Sequence, residues 1–444
     1  MSSGRKDHIH VAIIGGGITG VILALGMQKR GVDYTLYERA DAFTEIGAGI
    51  GFSPNAERAL AVVVYRVYKR VAPTSDANEY FQWINGYQSN EVAARLLIGV
   101  DAFQGGRRSD FLEAWSKLID VGKVEFGKEV ASASQKDDGK VSLQFKDGTV
   151  KETDIVIGCD GINSRIRKLI LGETNPASYP SYTKKYCYRA LIPMDTARAA
   201  LGDERSLGAE RSLNRFMYVG PNAHCMNYPV AKNQFLNVLL VISDLDPWQT
   251  EDGKHTAPGD KVDAIRAYAD WHPQVKAMVD LLPEKLQKWA IFDMLENPAP
   301  YYNRGSMAVA GDAAHAAGPH LGSGAGFGIE DALVLVSLLE AVNTKLEGQS
   351  QEAKVELCRA ALVAYNSARY DRTQWLVGAS REACALFHWQ DEEVGSDFEK
   401  FLPKISKIFH TIWDNDIGKM VKDALGQFEG VLGDKLDTKT SRPN

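Results

Sequence analysis

The stretch that most constrains this chain is Val11-Ala12-Ile13-Ile14-Gly15-Gly16-Gly17-Ile18-Thr19-Gly20. A β-branched apolar run passes straight into Gly15-x-Gly17-x-x-Gly20 and then into the apolar segment Val21-Ile22-Leu23-Ala24-Leu25. That order predicts a buried strand, a tight turn and a helix start. Gly15 permits the turn, Gly17 lets the backbone approach a diphosphate, and Gly20 lets the helix pack close to the strand. A diphosphate would sit at the positive end of the helix, on free backbone N–H groups.

A second strand, Tyr34-Thr35-Leu36-Tyr37, ends in Glu38. This is the separation of about 20 residues at which a βαβ nucleotide site carries its ribose-binding acid. A carboxylate there accepts both ribose hydroxyls and repels a 2′-phosphate. Strand, glycines, helix and acid together predict a nucleotide with a free 2′-hydroxyl, FAD or NAD.

At 444 residues the chain has room for two domains and a sizeable core. Its net charge of −6, without a long basic run, does not indicate nucleic-acid binding. The five cysteines, Cys159, Cys187, Cys225, Cys358 and Cys384, show no metal-site or CxxC spacing, so reduced thiols are expected. Met1 to His10 is polar, and no apolar stretch reaches the roughly 18–20 residues of a membrane span. The expectation is a soluble cytoplasmic protein, a monomer or homodimer, with no membrane partner.

Further along, Ala48-Gly49-Ile50-Gly51 lets a backbone pass close to something flat, and Ser53-Pro54-Asn55-Ala56 starts a helix. Gly105-Gly106-Arg107-Arg108 leads into another helix, with Ser109 or Asp110 as its cap. Asp147-Gly148 marks a hairpin. Asp154-Ile155-Val156-Ile157-Gly158-Cys159-Asp160-Gly161 is a buried strand ending in an acid, and Met307-Ala308-Val309-Ala310-Gly311-Asp312 is a third. Alternating strands dominate from about Ser181 to Trp289, predicting an antiparallel sheet with one face toward a ligand. A helix is expected over Ile329–Leu346, helical structure beyond Ala353, and a loose tail past Gly430.

Three strand-ending signatures stand together in order: Gly15-x-Gly17-x-x-Gly20 with Glu38, Asp160-Gly161-x-x-Ser164-x-x-Arg167, and Gly311-Asp312-Ala313-Ala314-His315. In this the chain resembles the single-component (group A) FAD-dependent aromatic hydroxylases of the para-hydroxybenzoate hydroxylase fold. It is most similar to salicylate hydroxylases and to fungal monooxygenases that hydroxylate or dearomatise resorcinol-type phenols. The likeness extends to His410-Thr411-Ile412-Trp413-Asp414-Asn415-Asp416. The resemblance implies an α/β fold: a Rossmann-type FAD-binding domain, an interleaved mixed-sheet substrate domain and a helical C-terminal region. The expected division is 1–75, 101–178 and 290–350 for FAD, 76–100 and 179–289 for substrate, and 351–444 for the helical region with its loose tail.

By the same resemblance, Gly15, Gly17 and Gly20 hold the FAD diphosphate and Glu38 the adenosine ribose. Ala48, Gly49 and Gly51 line the flavin, Arg108 reaches the ribityl or phosphate region, and Asp312 binds the ribityl hydroxyls. Gly324 and Ala325 bring N–H groups to the flavin pyrimidine edge, and Asp160 serves FAD and nicotinamide handling. NAD(P)H would dock transiently, since no second dinucleotide fingerprint is present. Phe327 stands where the family often has Asn or Gln, so packing would replace a polar contact. His320 reads either as a structural histidine or as a base or proton relay; His315 reads as structural.

Arg189 interrupts an apolar strand and must face solvent or a charged ligand, because burial without a partner is costly. In the phenol-dearomatising relatives an arginine on this strand pairs with the substrate phenolate and a tyrosine assists; Tyr228 fits that tyrosine. His224 is a second-rank pocket candidate, and Trp83 reads as core packing ahead of a pocket wall. The activity implied is monooxygenation of a salicylate-like or resorcinol-type phenol with O₂ and NAD(P)H, through a flavin C4a-hydroperoxide. A flavin oxidase or dehydrogenase without oxygen insertion, or a non-catalytic flavin-binding regulator, are the other readings.

Overall fold

The apolar run that opens the chain becomes an interior strand of a mostly parallel sheet. A computed structural model describes residues 8–43, 49–63, 78–100, 104–202, 216–230, 234–250 and 254–440. The order begins β1 (His10–Ile14), α1 (Ile18–Lys29), β2 (Asp33–Tyr37), β3 (Gly49–Phe52), α2 (Pro54–Val63), β4 (Asn78–Asn85), β5 (Val92–Val100), β6 (Gln104–Arg107) and α3 (Arg108–Ser116). It continues β7 (Val124–Glu125), β8 (Val130–Gln135), β9 (Val141–Phe145), β10 (Val150–Thr153), β11 (Ile155–Gly158), α4 (Arg165–Leu171), β12 (Ser181–Pro193), α5 (Met194–Leu201), β13 (Phe216–Gly220), β14 (Ala223–Val230) and β15 (Phe235–Ser243). Then come β16 (Thr256–Asp260), α6 (Lys261–Ala267), α7 (Pro273–Asp280), β17 (Lys285–Asp293), β18 (Asn303–Arg304), β19 (Met307–Val309) and α8 (Asp312–His315). Four long helices close the chain: α9 (Gly324–Lys345), α10 (Gln351–Phe387), α11 (Phe398–Trp413) and α12 (Ile417–Thr440).

The first sheet has the order β18-β19-β11-β1-β2-β7. Ile14 lies beside Tyr37 and Gly158, and Gly158 lies beside Val309, all in parallel register. The three strand-ending signatures therefore leave the sheet at one edge. That is the edge at which open α/β sheets bind ligands. Because β1 and β11 are covered on both faces by helices and the β8–β10 hairpin sheet, they are apolar without alternation.

The second sheet has eight strands, β16-β17-β12-β15-β14-β13-β4-β5. Here alternation returns. Tyr186, Tyr188, Cys225, Leu236, Val238 and Leu240 pack against α5, α6, α7 and Trp271. The other face meets the C-terminal helices at Phe81, Trp83, Met217 and Val219. Trp83 is buried in that core against Phe401 and Phe409, not at a pocket wall.

α9 is apolar on almost every side because α1, α2 and α10 surround it. The tail expected to be loose past Gly430 is instead helical through Thr440. Ala424 and Phe428 are buried in the first core, and Val431 and Leu432 pack on it, which supplies the burial that a loose tail would lack.

Candidate active site

The shared edge of β1, β2, β11 and β19 faces the second sheet across a cavity of about 600 Å³. Gly15, Gly17, Glu38, Gly51, Arg108, Asp160, Asp312, Gly324 and Ala325 line it, and so do Arg189 and Tyr228 from the second sheet. Gly49 sits in β3, opposite Arg107 of β6, so the expected loop is a two-stranded ribbon. Ala48 lies outside the described residues.

The glycines divide their work. Gly15 has φ +104°, and a Cβ there would stand 2.5 Å from the Cys159 carbonyl oxygen. At Gly20 a Cβ would stand 2.0 Å from the Gly15 carbonyl oxygen, so only glycine lets α1 start so close to the turn. At Gly17 the nearest atom is Arg108 Nη2, 4.0 Å away, so this position opens toward the cavity. Gly17 caps α1 without a side-chain hydrogen bond, which leaves the first-turn N–H groups for an anion. Glu38 accepts from the Gly16 N–H at 2.6 Å and from the Ala40 N–H at 2.8 Å. Gly16, which the motif leaves unassigned, thus fixes the orientation of the acid.

Asp160 lines the cavity, but its carboxylate accepts from the Ser164 hydroxyl and from the Arg165 (2.7 Å) and Ile166 (3.2 Å) N–H groups. Burial raises its pKa against those hydrogen bonds. Its side chain caps α4, and Gly161 brings backbone to the cavity. The arginine of the same signature is buried: Arg167 donates to the carbonyls of Ala177 (2.6 Å), Ala313 (3.1 Å) and Ala314 (2.6 Å).

A second anchor holds the same turn. Asp331 accepts from the Gly311 N–H at 2.9 Å and from Arg369 Nε at 2.7 Å, and pairs with His315 Nε2 at 2.6 Å. Burial alone would raise its pKa, but His315 and Arg369 outweigh burial and hold it well below the carboxylate range. Glu330 is lowered in the same way, by Arg369 and Arg372 against burial. These groups present Asp312 at the start of α8; a Cβ on Gly324 would be 3.8 Å from Asp312 Oδ1. Ser323 caps α9 without a side-chain hydrogen bond, so a second helix N-terminus opens beside Asp312. Sequence reasoning missed Glu330, Asp331 and Arg369. The available signal was two adjacent acids inside an otherwise apolar helix.

Two open helix starts, an acid at the end of β2 and an acid at the start of α8 suit a long, partly anionic dinucleotide. The donor set fits FAD in its chemistry: open N–H groups suit a diphosphate, and the two acids suit a molecule with ribose and ribityl hydroxyls.

Across the cavity, register fixes what alternation left open. Tyr186 and Tyr188 point into the helix-backed core, where the Tyr188 hydroxyl donates to Asp263 at 3.0 Å. Arg189 takes the opposite face. It is exposed in the cavity wall, with its guanidinium 5.8 Å from the Trp289 ring, and has no carboxylate partner among the described residues. Arg189, Leu239 and Met226 form one row across β12, β15 and β14, and Asn237 and Tyr228 form the next.

His320 does not line the cavity. It is buried behind Gly318 and Pro319, its ring 5.6 Å from that of His224, and burial lowers its pKa to about 3. His224 Nδ1 shares a 2.8 Å hydrogen bond with His388 Nε2, and His388 Nδ1 shares one of 2.9 Å with Ser243. Burial lowers both rings well below the ordinary histidine value. His224, His320 and Cys384 lie within 4.8 Å of one another; burial pushes that thiol up to about 12. Phe327 is buried under Arg372, whose guanidinium lies 4.4 Å from the ring centre.

The family model described as "FAD binding domain" matches residues 8–356. An FAD-dependent monooxygenase of Aspergillus niger, orf3, is 42% identical over 441 residues, covering 95% of this chain and 97% of that protein. The FAD-dependent monooxygenase pigN of Monascus ruber is 44% identical over 428 residues, covering 94% and 96%. The salicylate hydroxylase asL1 of Sarocladium schorii is 38% identical over 457 residues, covering 98% and 94%. Among solved structures, a salicylate hydroxylase substrate complex is 27% identical with a TM-score of 0.82, covering 95% of this chain and 98% of the other.

Proposed function

We propose that this chain, which belongs to the FAD-dependent monooxygenases of the FAD binding domain family, hydroxylates a phenolic ring with NAD(P)H as reductant. One observation carries the choice of substrate. Arg189, which has no carboxylate partner among the described residues, offers its guanidinium to the cavity from the middle of an apolar strand, one row from Tyr228. A phenolate oxygen is the partner this pair suits.

Bound FAD supplies the oxygen and redox chemistry that side chains lack. The chain's own residues bind, orient and hold protons. Arg189 favours the ionised phenol and so lowers its pKa, which makes the ring a better nucleophile. The Tyr228 hydroxyl donates to the same oxygen. Met226 and Leu239 supply apolar surface against the ring and exclude water. The N-terminus of α9 stabilises negative charge on the cofactor edge. NAD(P)H docks transiently, and Asp312 with the α1 turn keeps the resident nucleotide in position.

The test uses purified, FAD-loaded protein with NADPH, oxygen and either salicylate or 2,4-dihydroxybenzaldehyde, with products identified by mass. Faster NADPH consumption and a hydroxylated product support the reading. Catechol with CO₂ identifies a decarboxylating outcome; a product heavier by one oxygen with its acyl group intact identifies simple oxygen insertion. NADPH consumption that no phenol accelerates would overturn the reading in favour of an oxidase or a non-catalytic flavoprotein.

A further inference from the structure

Directly opposite Tyr228, across the β14–β15 pair, stands Asn237. It lines the same cavity although the residue is only 7% exposed. Its neighbours Leu236 and Val238 point into the helix-backed core, so its carboxamide takes the cavity face. Among the described residues that carboxamide makes no hydrogen bond, and neither of its polar atoms is among the fully buried unpaired ones, so it is open to the cavity. An apolar side chain would serve better beside Leu239 and Met226 if the cavity took only a ring edge.

We propose that Asn237 is a substrate-orienting residue whose amide N–H donates to a carbonyl or carboxyl oxygen borne next to the phenol oxygen. The inference rests on the phenol reading above and narrows it to rings with an ortho acyl or carboxyl group. Directly opposed residues of antiparallel strands have Cβ atoms about 4.5–5.5 Å apart, and diagonal ones about 7–8 Å. Tyr228 and Asn237 form the direct pair, and Arg189 is diagonal to Asn237. The three side chains thus converge on a patch the size of two adjacent ring substituents. Arg189 can only donate, so the ligand must bring acceptors. A ring held by its phenolate alone can rotate about that oxygen. A second hydrogen bond, from Asn237, fixes the rotation and so selects which ring carbon faces the cofactor.

The test is equilibrium binding to the FAD-loaded enzyme without NADPH, followed by flavin absorbance and calorimetry. The probes are 2,4-dihydroxybenzaldehyde and 4-methylresorcinol, which share both ring hydroxyls and differ in the carbonyl. The parent enzyme is expected to bind the aldehyde about tenfold more tightly. Asn237→Leu is expected to remove that preference, leaving 4-methylresorcinol affinity and flavin content unchanged. Asn237→Asp keeps the size but has no N–H, and is expected to remove the preference too. It decides the matter if the leucine variant fails to fold. A preference that survives in both variants would overturn the role of Asn237. A parent enzyme that binds the two probes equally would overturn it while leaving the phenol reading standing. A parent enzyme that binds neither would overturn the phenol reading and this inference with it.

Discussion

Arg167 Nη1 donates at 2.6 Å to the carbonyl of Ala314, 147 residues further along the chain. The guanidinium is buried, and burial lowers its pKa to about 10. It joins two of the three strand-ending signatures, so the Asp160 segment positions the Asp312 turn.

Arg167→Met should therefore damage the cofactor site from a distance. Three backbone carbonyls lose their donor, at a cost of about 3 kcal/mol or more. The expected outcome is a melting temperature lower by several degrees and poorer FAD retention. A variant that melts with the parent and keeps its flavin would remove Arg167 from this role.

Glu38→Ala should weaken FAD affinity about tenfold or more, since the ribose loses a charge-assisted acceptor. The Gly16 N–H also loses its partner, so the turn loosens. Flavin content after gel filtration reads the effect. A fully loaded variant would count against Glu38 as the ribose acid.

Gly20→Ala tests the turn itself. The added methyl would stand 2.0 Å from the Gly15 carbonyl oxygen, a contact backbone cannot relieve cheaply. Soluble, flavin-loaded protein at the parent's level would contradict the geometry.

Arg189→Ala should cut turnover about a hundredfold or more while FAD stays bound, because Arg189 stands on the second sheet, away from the glycine turn. Arg189→Lys should recover part of the activity and shift its pH profile upward, as a point charge favours the phenolate less well. Unchanged turnover in the alanine variant would take Arg189 out of the reaction.

The buried histidines set a pH dependence of stability. His224, His320 and His388 all have native pKa values below the unfolded value of about 6.5. Below that pH the unfolded chain binds protons that the native state refuses. Stability is therefore full above about 6.5 and falls as pH drops toward about 3, where His320 takes its proton. The slope approaches 1.4 kcal/mol per pH unit for each ring. His388→Gln should flatten the decline between pH 7 and pH 5 in urea titrations. An unaltered slope would mean that other groups carry it.

The glycine turn and the acid after β2 were legible because their information is local. Gly15, Gly17, Gly20 and Glu38 lie within one βαβ unit, where strand, turn and helix follow each other in sequence, and the clash that requires Gly20 comes from Gly15 in the same turn. The substrate half needed register. Arg189 could face either way until pairing with Leu239 and, through it, Met226 fixed its side. His388 was invisible because its partner, His224, is 164 residues away. Asp331 and Arg369 were hidden for the same reason, and the backbone N–H partners of the Asp160 carboxylate lie in the next helix, which its motif alone does not show. The tail past Gly430 was misjudged on polarity, although Val431 and Leu432 continue the apolar stripe of α12.

α10 grips both sheets. Tyr365 donates to Val309 of the first at 3.0 Å, and Arg381 pairs with Asp293 of the second at 2.6 Å. Between them Ser380 donates to the Gly318 carbonyl in the cavity wall at 2.6 Å. A helix of 37 residues is a rod about 55 Å long. It works as a strut that sets the gap between the two halves mechanically. Opening the gap would mean bending the strut or breaking these three contacts, so any widening carries their cost.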